Sequence, residues 1–324
     1  MICLSLALLA ACDPASVPSP AASATDADSA ASIELRRLIE DVTRSTARRY
    51  GLQDDRGHEM DGLKILSVSE AGGFVGLYHS YRNDVFDVDL ATSTDLMNWT
   101  WRAHLASHAS MPTIRPALDG GYVVAWEEDP EPNHLVFAYY PDWADLLGAR
   151  PAKTFEAPND LSPCAEGTPN LYAASSTHVE VGFHFFDDCE VDRQARGETD
   201  WTSWIAAPRR DLEAAVRRQG VSGGVGDRDV LQFMGAELTL VEGMKTRDDW
   251  RTWRVFLYEG EPGMARQLEF RTDAGSVAFT NPTIDIIEID GQSAVLVTLF
   301  VPMEGAKGGE AGELIYYRTY GPAK

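Results

Sequence analysis

Strand-length runs recur along this chain at intervals of about 50 residues, and that recurrence restricts its architecture more than any single motif does. The clearest copy lies between Lys64 and Trp101. Lys64–Val68 is followed by two alternating runs, Phe74–His79 and Val85–Thr92, on either side of the turn signal Arg82-Asn83-Asp84. A polar turn, Ser93-Thr94-Asp95, then leads to the aromatic run Trp99-Thr100-Trp101. Four short antiparallel strands in succession make one blade of a β-propeller. First-strand runs begin near Gly62, Pro112, Thr168, Asp229 and Thr280. Strongly apolar second strands follow at Gly73–Tyr78, Gly121–Trp126, His178–Phe186, Glu237–Val241 and Ser293–Val301. Third strands read at Val85–Thr92, His134–Tyr140, Arg251–Tyr258 and Glu313–Thr319, whereas Asp187–Thr199 in the third repeat is long and polar. Asp211–Arg218 reads as a helical insert between the third and fourth repeats. The expected fold is all-β, a five-bladed β-propeller over residues 58–321, with a short helix before it.

The segments ahead of the repeats differ in kind. Met1–Ala11 is a short apolar run before small residues, the pattern of a secretory signal. Its end, Leu9-Ala10-Ala11-Cys12, resembles a bacterial lipobox, so residues 1–12 are expected to direct export and Cys12 to carry lipid. Residues 13–31 are rich in Ala, Ser and Pro and read as a flexible tether. Residues 32–57 read as a helix over Ser32–Arg49 and a lead-in. Ile33, Leu35, Leu38, Ile39 and Val42 have helical spacing, Ser32 is a candidate N-cap and Gly51 a stop. The arginines at 36, 37, 44, 48 and 49 are expected to face solvent while the helix packs on the domain. The expected location is the bacterial cell envelope, lipid-anchored on the periplasmic side or the cell surface. No apolar run reaches the ~18 residues of a membrane span. A net charge of −22 repels phosphate backbones, so no nucleic-acid partner is expected.

The propeller reading brings residues of distant sequence position to one axial pocket. Residues just before each first strand converge there: His58, Glu59 and Asp61, then Met111, then Glu166, then Arg228, then Asn281. The ends of the second strands add His79 and Arg82, Glu127, and His184. Asp61 and Glu166 belong to repeats one and three and face each other across the axis. Two carboxylates across a sugar-sized gap, one protonated and one ionised, are what inverting glycoside hydrolysis requires. His58, His79, Arg82, Glu127, His184, Arg228 and Asn281 are then candidate substrate-binding residues. The histidines lack tight ligand spacing, so neither metal nor cofactor is expected. Most tryptophans read as packing between blades, with one at the rim free to stack on a sugar face.

Two stretches carry a family resemblance. Ser93-Thr94-Asp95-Leu96-Met97-Asn98-Trp99 resembles the S-x-D-L-x-x-W signature of five-bladed propeller glycosidases of families 43, 32 and 117. Glu166-Gly167-Thr168-Pro169 is similar to the E-G-P of family 43, with Thr168 inserted, and the glutamate there is the general acid. Asp61 stands where that family keeps its general base. The family's third carboxylate falls near Met111-Pro112, where this chain has methionine. The resemblance implies an inverting hydrolase acting on an oligo- or polysaccharide, with Asp61 as base and Glu166 as acid; Arg228 or His184 reads as an orienting group beside them. Met111 favours the alternative, a glycan-binding or scaffold propeller without the chemistry.

Two cysteines remain, and an exported chain meets oxidising conditions, so Cys164–Cys189 is an expected disulfide. A hairpin turning at Ser175-Ser176-Thr177 sets the two opposite each other at its open end.

Overall fold

The computed structural model describes residues 28–129, 132–260 and 263–321. The expected signal segment, Cys12 and most of the tether lie outside the described residues. Helix α1 spans Ala30–Ile39, with the Ser29 hydroxyl accepting from the Ser32 N–H, so the cap is three residues earlier than Ser32. The helix ends ten residues before Arg49, where its expected span stopped. There the backbone turns to pair with a distant loop: the Val42 N–H donates to the Arg271 carbonyl, and the Asp41 carboxylate holds the Arg271 guanidinium. Leu35, Leu38, Ile39 and Val42 are almost wholly buried and join the core of the last two blades. Strand β1, Ala47–Arg49, follows.

Five four-stranded antiparallel sheets make up the rest. Blade one holds β2 (Asp61–Val68), β3 (Gly73–Arg82), β4 (Val85–Ser93) and β5 (Thr100–Ser107). Blade two holds β6 (Ala109–Pro116), β7 (Tyr122–Glu128), β8 (His134–Tyr140) and β9 (Lys153–Glu156), with helix α2 (Trp143–Leu147) between the last two. Blade three holds β10 (Glu166–Ala174), β11 (Val179–Asp187), β12 (Val191–Thr199) and β13 (Trp204–Pro208). Helix α3, Arg210–Arg217, is the insert before blade four, which holds β14 (Val225–Phe233), β15 (Ala236–Met244), β16 (Trp253–Glu259) and β17 (Met264–Gln267). Blade five holds β18 (Thr280–Ile289), β19 (Gln292–Val301) and β20 (Gly312–Thr319), and β1 completes it by pairing Ala47 with Tyr317 and Arg49 with Ile315. Early and late chain segments thus share one sheet and close the ring. The polar stretch in the third repeat is a regular strand after all: β12 pairs with β11 without a break. Its polarity reflects buried Arg193 and Gln194, which bond to backbone carbonyls instead of packing apolar atoms.

The S-x-D-L-x-x-W stretch is a structural corner. The Asp95 carboxylate accepts from the Met97 and Asn98 N–H groups, and the Trp99 indole donates to the Leu96 carbonyl beneath it. Asp200 and Trp204 repeat the corner in blade three, where Asp200 accepts from the Thr202 and Ser203 N–H groups. Near the axis, the Thr283 and Thr298 hydroxyls of blade five donate to the Leu63 carbonyl of blade one, pinning the ring's closure.

Candidate functional site

Each first strand enters the axis through a backbone irregularity. β2, β6, β10, β14 and β18 all shift register against their second strands within the first few residues. Gly62, Met111, Thr168 and Asn281 take left-handed φ values of 62°, 50°, 54° and 47° at these points. A bulge there bends the strand and re-aims its side chains. Three of the four residues are not glycine, so backbone strain gathers at this end of the axis.

Opposite each entry the second strand presents one side chain. His79 pairs with Asp61, Glu127 with Ser110, His184 with Gly167, Glu242 with Gly226 and Phe300 with Thr280. The glycines among the partners are required by close approach. A Cβ on Gly167 would stand 2.0 Å from the Glu127 Oε2, and one on Gly226 would stand 1.4 Å from the His184 Nε2.

These side chains enclose an axial cavity of about 310 Å³. Asp61, Asp192 and Glu242 supply its carboxylates. Phe86, Trp250, Trp253 and Phe300 supply aromatic rings, and His79, His184, Met111, Thr168, Thr280 and Asn281 complete the wall. Burial, then Glu59, pushes the Asp61 carboxyl up to about 7. Burial, then Glu127 and Glu242, pushes Asp192 up to about 6, against the pull of Arg193. Glu242 is also raised by burial, opposed by Arg228 and by the Asn281 N–H, which donates to it at 2.5 Å. Beneath Asp61, fully buried Glu313 accepts from the Gly62 N–H at 3.2 Å and is held well above the usual carboxylate range by burial and by Asp61. His79 is driven the other way, to about 3, by burial and by Arg228, so it is a neutral ring whose Nδ1 accepts from the Met111 N–H.

The expected site residues divide into three groups. Asp61, His79, His184 and Asn281 line the cavity. Glu127 and Arg228 stand behind the wall. Glu127 accepts from the Asn133 amide and the Thr168 N–H. Arg228 is 6% exposed, lies 4.0 Å from Glu242, and has no hydrogen-bond partner for Nε or Nη1 among the described residues. His58, Arg82 and Glu166 do not line the cavity. His58 and Arg82 join Asp54, Asp87 and Asp89 in a network that clamps the lead-in loop to blade one. Glu166 is 1% exposed, and its Oε1 accepts from the Leu161 and Ser162 N–H groups at 2.5 and 2.9 Å. Its carboxylate holds a loop, and that loop is also tied by the Cys164–Cys189 disulfide, with Cα atoms 5.6 Å apart.

Sequence reasoning missed Asp192, Glu242 and Glu313. The five-fold register rule would have found Glu242, since it holds the position of His79 and His184. Asp192 and Glu313 stand on third strands, where repeat counting alone gives no signal.

No family model matches the chain, and no curated protein does. Solved structures match at the level of fold. An α-L-arabinofuranosidase from Podospora anserina, solved in complex with cellotriose, aligns at a TM-score of 0.51 with 13% identity, over 89% of this chain and 98% of the other. An exo-1,5-α-L-arabinanase from a bovine ruminal metagenomic library aligns at 0.51 with 10% identity, over 81% and 92%. The catalytic domain of a Coprinopsis cinerea GH62 α-L-arabinofuranosidase aligns at 0.50 with 11% identity, over 84% and 96%. The chain is therefore a propeller of the architecture used by glycoside hydrolases.

Proposed function

We propose that this propeller is an inverting glycoside hydrolase that works in its axial cavity, with Asp61 as proton donor and Asp192 as base. One observation carries the reading: a single cavity holds two carboxyls from blades one and three, both titrating near neutrality. Its volume lies at the small end of ligand pockets, which run from about 300 Å³, and suits one sugar ring at a chain end. The donor must be protonated and the base ionised at the working pH. Asp61 has the higher titration point, so the order set by burial gives it the donor role. In the inverting scheme Asp192 takes a proton from water as the water oxygen bonds to the anomeric carbon, and Asp61 protonates the departing glycosidic oxygen. Glu166, on its loop, keeps a structural role.

The test is a hydrolysis screen beginning with arabinan and arabinoxylan, chosen because the fold is shared with arabinofuranosidases and an arabinanase. NMR of the first-formed anomer reads the stereochemistry. The pH profile is expected to be a bell with its limbs near 6 and 7. Asp61→Asn and Asp192→Asn are each expected to lower kcat by roughly 10²–10⁴, and Glu166→Gln to keep it within a few-fold. Loss of activity in Glu166→Gln at unchanged stability would return the donor role to Glu166.

A second reading, a glycan-binding propeller without hydrolysis, is favoured by Met111 and Thr168 at the entries to blades two and three. Sugar binding with no turnover on any substrate supports it. Anchoring through Cys12 at the cell envelope belongs to the same proposal. Cys12→Ala is expected to move the protein out of the membrane fraction, and unchanged fractionation would remove the anchor.

A further inference from the structure

The cavity wall is acidic and aromatic at once, and no lysine or arginine among the described residues is part of it. The concentration is greatest at blade four. Gly224 has the Trp253 ring 3.2 Å and the Asp192 Oδ2 3.4 Å from the place its Cβ would take, so ring and carboxylate lie against one point. Glu242 of the same blade, 4% exposed, lines the wall beside them, and Trp250 stands half-exposed at the rim. The indole N–H of Trp253, a residue 8% exposed, has no hydrogen-bond partner among the described residues.

Such a corner is costly when empty of positive charge. Asp192 faces Glu127, Glu242 and Arg193; Asp61 faces Glu59 and Glu313; Glu242 faces Arg228. Arg193 is already engaged by Glu213 at 3.2 Å and by the Gly223 carbonyl, so among the described residues Arg228 is left to offset Glu242 and Glu313. Among the described residues no three His, Cys, Asp or Glu side chains have the arrangement of a metal site. A larger cation fits the chemistry better. Aromatic faces attract ammonium groups through their quadrupole, carboxylates pair with them, and an orphan indole N–H calls for an acceptor such as a hydroxyl.

We infer that the saccharide this cavity takes carries a protonated amine, an amino sugar, and that its ammonium sits among Asp192, Glu242, Trp250 and Trp253. The inference rests on the reading of the cavity as a sugar site. A seated ammonium also holds Asp192 ionised, the state a base needs. Binding is then coupled to proton release near pH 6, and affinity rises from about pH 5 to about pH 7 as the carboxyls lose protons.

The experiment measures affinities of the full chain for glucosamine, glucose, glucuronic acid and tetramethylammonium by calorimetry and ligand-observed NMR. Glucosamine is expected to bind about tenfold tighter than glucose, the size of a desolvated cation–π contact with carboxylate support. Glucuronic acid is expected not to bind. Glu242→Gln keeps an acceptor for the Asn281 N–H and is expected to erase the preference for glucosamine over glucose. Trp250→Ala, at a half-exposed position that does not threaten folding, is expected to narrow the preference. Equal affinity for glucose and glucosamine, or tighter glucuronic acid, overturns the inference and leaves the sugar site standing. Tetramethylammonium binding with no sugar binding upholds the cation seat and overturns the sugar reading. Binding of none of the four overturns both.

Discussion

The two mouths of the axis are built from the same five first strands and treat charge in opposite ways. At the far mouth, a hollow of about 620 Å³ is lined by Lys64, Arg115, Arg196, Arg209, Asp229 and Asp285 among others. Most of its charges are paired; Asp285 is raised by burial and accepts only from the Ile286 N–H among the described residues. Lys64 of blade one pairs with Asp229 of blade four, which also accepts the Ile284 N–H of blade five at 2.8 Å. Arg115 donates to the Leu171 carbonyl at 3.1 Å, Arg209 to the Tyr172 hydroxyl at 3.0 Å, and Arg196 pairs with Glu180. At the near mouth, Asp61, Asp192 and Glu242 share a wall that has no lysine or arginine among its described residues, and burial drives their titration upward. Paired charge ties blades together. Charge that is buried and left to repel its neighbours weakens the fold and readies a site for a ligand or a proton, which is why perturbed carboxyls mark functional candidates.

Asp61 and Lys64 put that contrast to its hardest test, since they stand three residues apart on β2. The largest expected effect is that of Asp61→Asn, which lowers hydrolysis by roughly 10²–10⁴ and at the same time stabilises the fold at neutral pH. The Asp61 carboxyl titrates at about 7 when folded and near the ordinary carboxylate value when unfolded. Its contribution to stability is whole at about pH 4 and below, and is lost as pH rises to about 7. Asparagine cannot ionise, so thermal midpoints of the two proteins should coincide near pH 4 and separate in favour of the variant near pH 7.5. His79, depressed to about 3, contributes with the opposite slope, but it does so in both proteins and cancels in the difference. A variant less stable than the parent at neutral pH would mean that Asp61 is a structural anchor.

Lys64→Met is expected to do the reverse. It leaves Asp229, 4% exposed, without its cation, and breaking one side of a buried pair costs about 3 kcal/mol. Denaturant midpoints should fall accordingly, while kcat on any substrate found stays within a few-fold. A drop in kcat without loss of stability would show that the far mouth shapes the near one.

How much of this was legible in the sequence follows from what each feature depends on. The blades were legible because strand alternation and turns are local, and the disulfide because it closes a single hairpin. The near mouth was legible where a side chain precedes a first strand, as Asp61 does, or ends a second strand, as His79 and His184 do. In blade four the apolar run of the second strand stops at Val241, one residue short of Glu242, because an apolar run marks packing and the site residue is the charge that follows it. Glu166 sits at a strand entry as expected, yet its side chain turns to the Leu161 and Ser162 N–H groups. Strand position fixes a Cα near the axis but not the rotamer. The helix was read ten residues too long because the spacing of Ile33 to Val42 gave no sign of the Arg271 contact that ends it.

The smallest expected effect sharpens the far side of the comparison. Arg196 stands at the outer edge of the far mouth, its side chain 49% exposed, paired with Glu180 and stacked 5.2 Å from the Tyr172 ring centroid. An exposed ion pair contributes about 0–1 kcal/mol, since water screens it and two long side chains must be held still. The stack adds a similar amount at an exposed site, about 0.5–1 kcal/mol. Arg196→Ala is therefore expected to lower stability by about 0.5–2 kcal/mol, a few degrees in thermal midpoint at most for a domain of this size. The ion-pair part of that loss should shrink at about 1 M salt, where screening shortens to about 3 Å, and the stacking part should persist. Lys64→Met measured beside it gives the scale. If the far mouth works as a structural tie, the cost should rise from its exposed edge to its buried centre, and neither variant should alter sugar affinity at the near mouth. Equal costs for the two would show that pairing there acts through net charge and not through burial.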